Sequence, residues 1–327
     1  MQLPDVRKRR SLLRGAPAAS VGSIAESAET RGRTRSWRPG AGVAGLLFLL
    51  PMLVIFGVFS WLPILRALEM SVEKTNLVAP PVFVGLDNFA RVLADPVFWV
   101  AVKNTAWFAL LALIFGYPVP LVLAVLMSEA RRFRGLYSVL AYLPVVVPPV
   151  VAVLLWKFFY DGSSTGVFNT ILGWFGMKPA AWLQSAGTAM PSLVLEATWA
   201  AAGGTVIIYL AALQSVPAEL YDAADVDGAG LWRKVRYVTL PHLRGILLIT
   251  LILQIIGTSQ LFLEPFLFTG GGPANATTTV LLLIYRYAFQ NSIGGDYGSA
   301  TALSVMLAVF LAAFSWGYFR LTRGWAT

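Results

Sequence analysis

A polar island interrupts two long apolar segments of the chain at Tyr221-Asp-Ala-Ala-Asp-Val-Asp-Gly-Ala-Gly-Leu-Trp-Arg-Lys-Val-Arg-Tyr-Val-Thr-Leu-Pro241. It combines three aspartates with three cations, and its glycines and its proline restrict the backbone geometries that it can adopt. We interpret it as two short helices joined by a turn. A chain that places such a segment at the end of an apolar span is expected to grip a soluble partner with it.

The composition places the rest of the chain in a lipid bilayer. Of its 327 residues, 57% are hydrophobic and 13% are charged, and the mean hydropathy is +0.70. A soluble domain carries about 25% charged residues. The chain has no cysteine and one histidine, His242. This excludes disulfides and thiolate metal sites, leaves little scope for imidazole chemistry, and predicts no metal site.

Six apolar segments are long enough to cross the hydrocarbon core. Each has about 22–27 residues, which is about 33–40 Å as a helix. The segments are residues 43–65, 101–127, 136–159, 190–213, 243–268 and 298–319. The sequence therefore predicts an all-α integral membrane protein, with six transmembrane helices within residues 41–320.

Lysine and arginine indicate the orientation of these spans. Nine of them precede residue 40, three lie in residues 128–135, and four lie in residues 214–244. Arg320 and Arg323 follow the last span. Because cations near span ends are retained in the cytoplasm, we expect both termini and the 214–244 loop there.

The two ends of the chain are predicted to be tails. Residues 1–40 lack a sustained apolar period and are expected to form a disordered basic cytoplasmic tail, and residues 321–327 a short C-terminal one. The net charge of +9 is therefore a topology signal, with some attraction to membrane lipids. Nucleic acid is not expected as a partner.

Prolines and glycines predict breaks in two spans. Pro144, Pro148 and Pro149 should kink or break the third span near its cytoplasmic half, because each lacks a backbone donor. Such a helix could line a pathway, or it could be kinked for packing alone. Thr269-Gly-Gly-Gly-Pro273 is expected to end the fifth helix at the outer surface.

A few polar side chains enter the apolar spans. They are Glu196 and Trp199 in the fourth span, and Gln254, Gln260 and Glu264 in the fifth. An ionisable residue at membrane depth indicates a functional site by default. Carboxyl and amide groups beside a flat aromatic ring would suit a sugar-sized ligand in a substrate pathway. Alternatively, the same groups could hydrogen-bond between helices or across a subunit interface.

The polar island itself shows helix start and stop signals. Pro217 and Glu219 suit the first turn of a helix, and Gly228 permits a sharp turn after it. A second short helix is expected over residues 231–238, ended by Pro241 before the fifth span begins. We predict a helix-turn-helix coupling loop over residues 215–242, between the fourth and fifth helices.

The spacing within the island resembles the EAA loop of ABC importer permeases. The matching positions are Asp222-Ala223-Ala224, Gly228 and Val238-x-Leu240-Pro241, with Asp222 in place of glutamate and Val238 in place of isoleucine. The resemblance extends over about residues 43–320. Phe83–Phe89, Thr269–Pro273 and Ile284–Phe289 are similar to the carbohydrate-uptake branch, of the maltose- and glycerol-phosphate type.

This resemblance implies a function and its residues. The loop would seat in a groove of an ATP-hydrolysing subunit, so that closure of two such subunits rocks the spans from inward- to outward-facing. Asp222 would make a polar contact, Ala223 and Ala224 would allow close approach, and Gly228 would set the turn. Asp227, Leu240 and Pro241 complete the implied ATPase-coupling set.

The resemblance also implies the partners of the chain. They are a second homologous permease, two ATP-binding subunits that hold ATP and magnesium, and an extracytoplasmic solute-binding protein that delivers a sugar or sugar-like solute. This chain has no Gly-x-x-x-x-Gly-Lys-[Ser/Thr] phosphate cradle. We therefore expect no catalytic residues, no cofactor and no enzyme activity in the permease itself.

Two other classes of function remain as alternatives. A proton- or sodium-coupled carrier would use Glu196 or Glu264 as its ion site, although no internal repeat typical of such carriers is visible. A membrane enzyme is disfavoured by the scarcity of histidine, cysteine and clustered carboxylates. The sequence does not name the sugar, nor does it show whether this subunit holds a substrate site.

Overall fold

The computed structural model describes residues 39–129, 134–290 and 294–325. The predicted tail of residues 1–40 therefore lies outside the described residues, except for its last two, where the first helix begins. The chain divides into two compact units, one ending at Trp61 and one beginning at Leu62. In the first unit, helix α1 (Pro39–Phe56) continues into a π-helical turn, Gly57–Trp61.

Nearly all regular structure described in the second unit is helical. Its helices are α2 (Leu62–Ser71), α3 (Asp87–Ala94), α4 (Pro96–Leu111), α5 (Pro118–Glu129), α6 (Arg134–Val146), α7 (Pro149–Phe159), α8 (Val167–Trp174), α9 (Ala186–Leu213), α10 (Ala218–Val226), α11 (Leu231–Lys234), α12 (Leu240–Ser259), α13 (Val280–Phe289) and α14 (Tyr297–Thr322). Short π-helical turns occur at Ala112–Gly116, Val235–Thr239 and Pro265–Thr269, and a 3₁₀ turn at Arg323–Trp325. Strands β1 (Glu73–Lys74) and β2 (Val82–Phe83) pair antiparallel, with Glu73 opposite Phe83.

Five continuous helical segments of the described chain are long and apolar enough to cross a membrane. They are Leu46–Ser71, Pro96–Glu129, Ala186–Leu213, Leu231–Ser259 and Tyr297–Thr322. A sixth crossing exists if the bent pair Gly135–Val146 and Pro149–Phe159 forms one broken span. The all-α membrane architecture predicted from the sequence is confirmed.

The third apolar segment breaks where its prolines predict. Helices α6 and α7 are bent by 101°. Pro148 caps α7 in an extended conformation, with φ −56° and ψ 134°, and Pro149 occupies the first position of that helix. Neither proline can donate a hydrogen bond to the preceding turn, and each disfavours a helical conformation in the residue before it. The break is therefore much sharper than a kink.

The fifth span ends ten residues earlier than the glycine run at Thr269–Pro273 predicts. Helix α12 ends at Ser259, and a short helical turn resumes before Pro265–Thr269. Pro265 has no N–H to donate to the carbonyl of Leu261. The Thr279 hydroxyl donates to that oxygen instead, at 2.7 Å. The prediction that this helix runs to residue 268 is wrong because it overlooked Pro265.

The start of the fifth span also differs from the prediction. Pro241 does not end the helix that begins at Leu231, because helical structure runs from Leu231 to Ser259. Instead, Pro241 lies in the first turn of α12, directly after the π-helical turn Val235–Thr239. The wider turn accommodates the proline ring and its missing donor. The second helix of the polar island and the fifth span are thus one continuous rod.

Aromatic side chains dominate the largest core cluster of the second unit. Trp156 contacts Tyr160, Phe168 and Trp199, with ring centroids 5.5, 5.8 and 5.6 Å apart. Tyr160 is fully buried, and its hydroxyl donates to the Ser192 carbonyl at 2.7 Å. This cluster fixes α7 against α9.

Helices α9 and α6 approach each other closely at Gly203. A Cβ built at Gly203 would lie 2.1 Å from the Ala141 carbonyl oxygen and 2.9 Å from Val145 Cγ2. At Gly204, the next residue, a Cβ would meet nothing within 4 Å. Small residues at such crossings let the helix backbones of membrane proteins pack tightly.

We expect Gly203→Ala to destabilise the folded chain by about 1–3 kcal/mol, because the added methyl group must force the two helices apart. Gly204→Ala is the matched control and should leave stability unchanged or raise it slightly, since alanine favours a helix interior. Thermal unfolding of the purified protein in detergent measures both. Equal unfolding temperatures for the two variants would contradict the close packing.

Candidate functional site

The polar island folds into two helices joined at a left-handed glycine. Helix α10 ends at Val226, and Gly228 follows with φ +68°, in a region that side chains other than glycine rarely adopt. The Gly228 N–H donates to the Asp225 carbonyl at 3.0 Å, and the Ala229 N–H donates to the Ala224 carbonyl at 2.9 Å. These bonds close the end of α10 and redirect the chain into α11.

Two side-chain contacts hold the helices of the island together. The Tyr221 hydroxyl lies 3.0 Å from the Thr239 hydroxyl, which joins α10 to the turn before α12. Lys234 forms an ion pair with Asp225. The exposed ion pair contributes little energy by itself, but the two contacts together define one relative orientation.

Most of the predicted coupling residues lie on the surface of this loop. Asp222, Ala223, Asp227, Gly228 and Pro241 are exposed. Ala224 and Leu240 are half-buried against the remainder of the loop. The fold therefore presents the acidic and small residues of α10, and the turn after them, to a partner.

An apolar surface beside these residues was not predicted. Val226, Trp232 and Tyr237 are 89%, 72% and 70% exposed. Leu220 and Leu231 are also exposed. Large apolar side chains clustered at the tip of a polar loop mark an interaction surface. The signal was present in the sequence as a tryptophan and a valine flanking the glycine turn.

A cavity of about 500 Å³ lies among the second, fourth and fifth spans. Small residues dominate the face contributed by α9, where the lining includes Ala197, Ala200 and Ala201. Pro149, at the break between α6 and α7, also lines this cavity. The break between these helices thus borders a space among the spans, and the role of its prolines in a pathway stays a prediction.

Only some of the predicted pathway residues reach this cavity. Gln254 and Glu264 line it. Gln260 is exposed just beyond the end of α12 and does not line it, and Trp199 packs on Trp156 in the aromatic cluster. Glu196 is 2% exposed, and its Oε2 atom has no hydrogen-bond partner.

Hydroxyl groups contribute most of the remaining polar lining. Tyr117, Thr198, Thr205, Thr250 and Thr258 all border the cavity. The Tyr117 hydroxyl donates to the Leu247 carbonyl at 2.6 Å, and the Tyr209 hydroxyl lies 2.7 Å from the Thr250 hydroxyl. None of these residues belongs to the predicted pathway set, because threonine is common in spans as an internally bonded residue.

A larger cavity of about 720 Å³ lies at the end of α7. Lys157, Asp161, Gln184 and Thr269 contribute its polar lining, beside aromatic residues such as Tyr160. Lys157 donates to the Leu267 carbonyl at 3.3 Å. Within the described ranges, no group of three or more histidine, cysteine or carboxylate side chains could hold a metal ion.

The family of the chain follows from its sequence match. Residues 116–326 match the family described as the binding-protein-dependent transport system inner membrane component. That range includes the loop at Ala218–Pro241, the cavity residues of α9 and α12, and the last span. The chain belongs to this family, and it is a multi-pass membrane permease of an ABC importer.

Individual relatives cover nearly the whole chain. It is 33% identical over 275 residues to the arabinooligosaccharides transport system permease protein AraP of Halalkalibacterium halodurans, covering 84% of this chain and 86% of that protein. It is 31% identical over 280 residues to the trehalose/maltose transport system permease protein MalF of Thermococcus litoralis, covering 85% and 93%. Among solved structures, it resembles a chain of a bacterial alginate ABC transporter in complex with an alginate pentasaccharide-bound periplasmic protein. The TM-score is 0.77 and the identity 27%, covering 88% of this chain and 96% of that one.

Proposed function

We propose that this permease passes a sugar or sugar-like solute from an extracytoplasmic solute-binding protein into the cytoplasm, driven by ATP hydrolysis in partner subunits. The observation that carries the proposal is the continuous helix from Leu231 to Ser259. One end of this helix belongs to the exposed loop, and the other end lines the cavity. Movement imposed on the loop is therefore transmitted to the cavity by a rigid element.

The length of this helix suits it to act as a lever, that is, to transmit movement from the loop to the cavity. Trp232 on the loop and Gln254 in the cavity wall are separated by 22 residues, or about 33 Å along the helix axis. The π-helical turn Val235–Thr239 lies between them, and its Thr239 is tied to Tyr221 on α10. A push on α10 therefore reaches the rod through that hydroxyl pair as well as through the chain.

The exposed residues of the loop support the proposal that it binds an ATP-binding subunit. Asp222, Ala223 and Gly228 are exposed on one side of the turn, and Val226 and Trp232 form an apolar patch next to them. Two ATP-binding subunits holding ATP and magnesium, together with a second homologous permease, complete the proposed importer. We place this permease in the inner membrane of a prokaryote, as its family of inner membrane components suggests. We place the loop and both termini in the cytoplasm, because lysine and arginine concentrate in these segments.

A carbohydrate cargo is supported by the cavity and by the relatives. Hydroxyl, amide and carboxyl groups among small apolar residues offer many hydrogen bonds over a wide surface, as polyhydroxylated ligands require. The relatives AraP and MalF are named for arabinooligosaccharides and for trehalose and maltose. No described feature favours an ion-coupled carrier.

Purification of the tagged chain from its own host tests this function. We expect an ATP-binding protein and a second permease to copurify, and the reconstituted complex to hydrolyse ATP faster when solute-binding protein and sugar are added. Uptake into vesicles should stop when ATP is withheld. Uptake driven by a proton or sodium gradient without ATP would contradict the proposal.

A further inference from the structure

We infer that the cavity lined by Gln254 and Glu264 selects uncharged saccharides and rejects acidic ones. This inference rests on the proposed function and adds to it the charge class of the cargo. The discriminating residue is Glu264, supported by Glu196 behind the wall. The fold alone does not set this preference, because the transporter of similar fold imports the acidic polysaccharide alginate.

The described lining of the cavity contains an acidic side chain and no basic one. Among the described residues that line it, Glu264 is the single carboxyl, and no lysine, arginine or histidine is present. The nearby cation Lys157 lines the other cavity, where it donates to the Leu267 carbonyl. The three ion pairs formed by described residues involve neither Glu264 nor Glu196.

Glu196 adds a second carboxyl behind the first. It is 2% exposed, its Oε2 atom has no partner, and it lies within electrostatic range of Glu264. Its neighbours in the chain, Ala197 and Thr198, both line the cavity. Glu196 therefore adds a second carboxyl, and no cation, to the helix that forms this side of the cavity.

This arrangement favours hydroxyl groups over anions. A sugar hydroxyl can donate to the carboxyl of Glu264, and the Gln254 amide and Thr258 hydroxyl provide further partners. A uronate, phosphate or sulfonate would lose its hydration at membrane depth and find no cation to replace it. In either protonation state, Glu264 supplies no positive charge to such an anion, and in its ionised state it also repels one.

Equilibrium binding to the whole purified transporter tests the inference. The solute-binding protein is omitted because it has its own selectivity. The probes are radiolabelled neutral disaccharides (maltose, lactose, arabinobiose) and uronic acid disaccharides (digalacturonate and a glucuronate-containing analogue). We expect at least one neutral probe to bind about tenfold or more tightly than any acidic probe.

Variants of Glu264 test whether this residue causes the difference in affinity between neutral and acidic probes. Glu264→Gln should retain neutral binding and narrow the difference between the two classes, and Glu264→Lys should reverse the order. Asp87→Lys, at an exposed outer helix, makes the same change in charge outside the cavity and should behave as wild type. Gel filtration of each complex, with both permeases and both ATP-binding subunits retained, shows that the variant is assembled.

Several outcomes would overturn the inference. They are acidic probes that bind wild type as well as neutral ones, no binding of any probe, or the same discrimination in Glu264→Lys and wild type. If binding protein and sugar still stimulate ATP hydrolysis in that preparation, the proposed function stands and only the charge selection fails. If no ATP-binding subunit is present in the complex, the proposed function itself fails.

Discussion

Replacing Gly228 by valine is expected to reduce ATP-driven uptake at least about tenfold, with ATP hydrolysis no longer coupled to transport. Gly228 has φ +68°, and a Cβ at this position would meet nothing within 4 Å. The energetic cost of the substitution therefore comes from the backbone alone. A β-branched residue in the left-handed region is strained by about 1–3 kcal/mol. The turn relaxes to another conformation, and α10 no longer points in the same direction relative to the lever.

Gly230 provides a matched control two residues away. Its Cβ would also meet open space, but its backbone is extended, with φ −66° and ψ 169°, which valine adopts without strain. We expect Gly230→Val to keep coupled uptake near the wild-type level. Uptake and ATP hydrolysis measured on the same vesicles give the coupling ratio. Equal ratios in the Gly228→Val and wild-type complexes would show that the turn does not set coupling.

Sequence reasoning succeeded where local chemistry decides the backbone. The glycine turn at Gly228 and the break at Pro148 and Pro149 were both predicted, because each follows from one residue's allowed dihedrals or its missing donor. Span-length apolar segments were predicted as helices for a different reason, which also depends on the local sequence alone. In a bilayer, no other open structure satisfies the backbone hydrogen bonds.

Sequence reasoning failed where a neighbouring element changes the local rule. Pro241 was expected to end a helix, but the π-helical turn at Val235–Thr239 accommodates it, and nothing in the sequence of those five residues signals a wider turn. The Leu261 carbonyl, which Pro265 leaves without a backbone donor, accepts from the Thr279 hydroxyl, eighteen residues further along the chain. Such long-range compensation cannot be read from the spacing of prolines.

Only the polar part of the cavity lining could be predicted from the sequence. Gln254 and Glu264 were found because polar groups stand out in an apolar span. Trp199 packs on Trp156 and does not line this cavity. An aromatic residue that packs in a core has the same sequence signature as one that faces a ligand. The alanines that open the cavity carry no polar group, and only the crossing of three helices shows that they face empty space.

Those alanines lead to the second large effect: Ala201→Trp is expected to reduce uptake by about fiftyfold or more. Ala201 lines the cavity of about 500 Å³ on the α9 face, and Gln254 lines it on the α12 face. An indole at this position would occupy the space that a sugar must pass through, and overpacking it against α12 would oppose movement of the lever. Copurification with the ATP-binding subunits should remain unchanged, because the coupling loop is distant.

Leu195→Trp separates blockage of the cavity from the general effect of a large side chain in α9. Leu195 is exposed on the same helix and does not line the cavity. Uptake by this variant should stay within about threefold of wild type, since an exposed apolar substitution on a span changes little. Uptake of radiolabelled sugar by reconstituted complexes measures both variants. If Ala201→Trp transports as well as Leu195→Trp, the solute crosses elsewhere, and the lever from Leu231 to Ser259 must act on a different part of the permease.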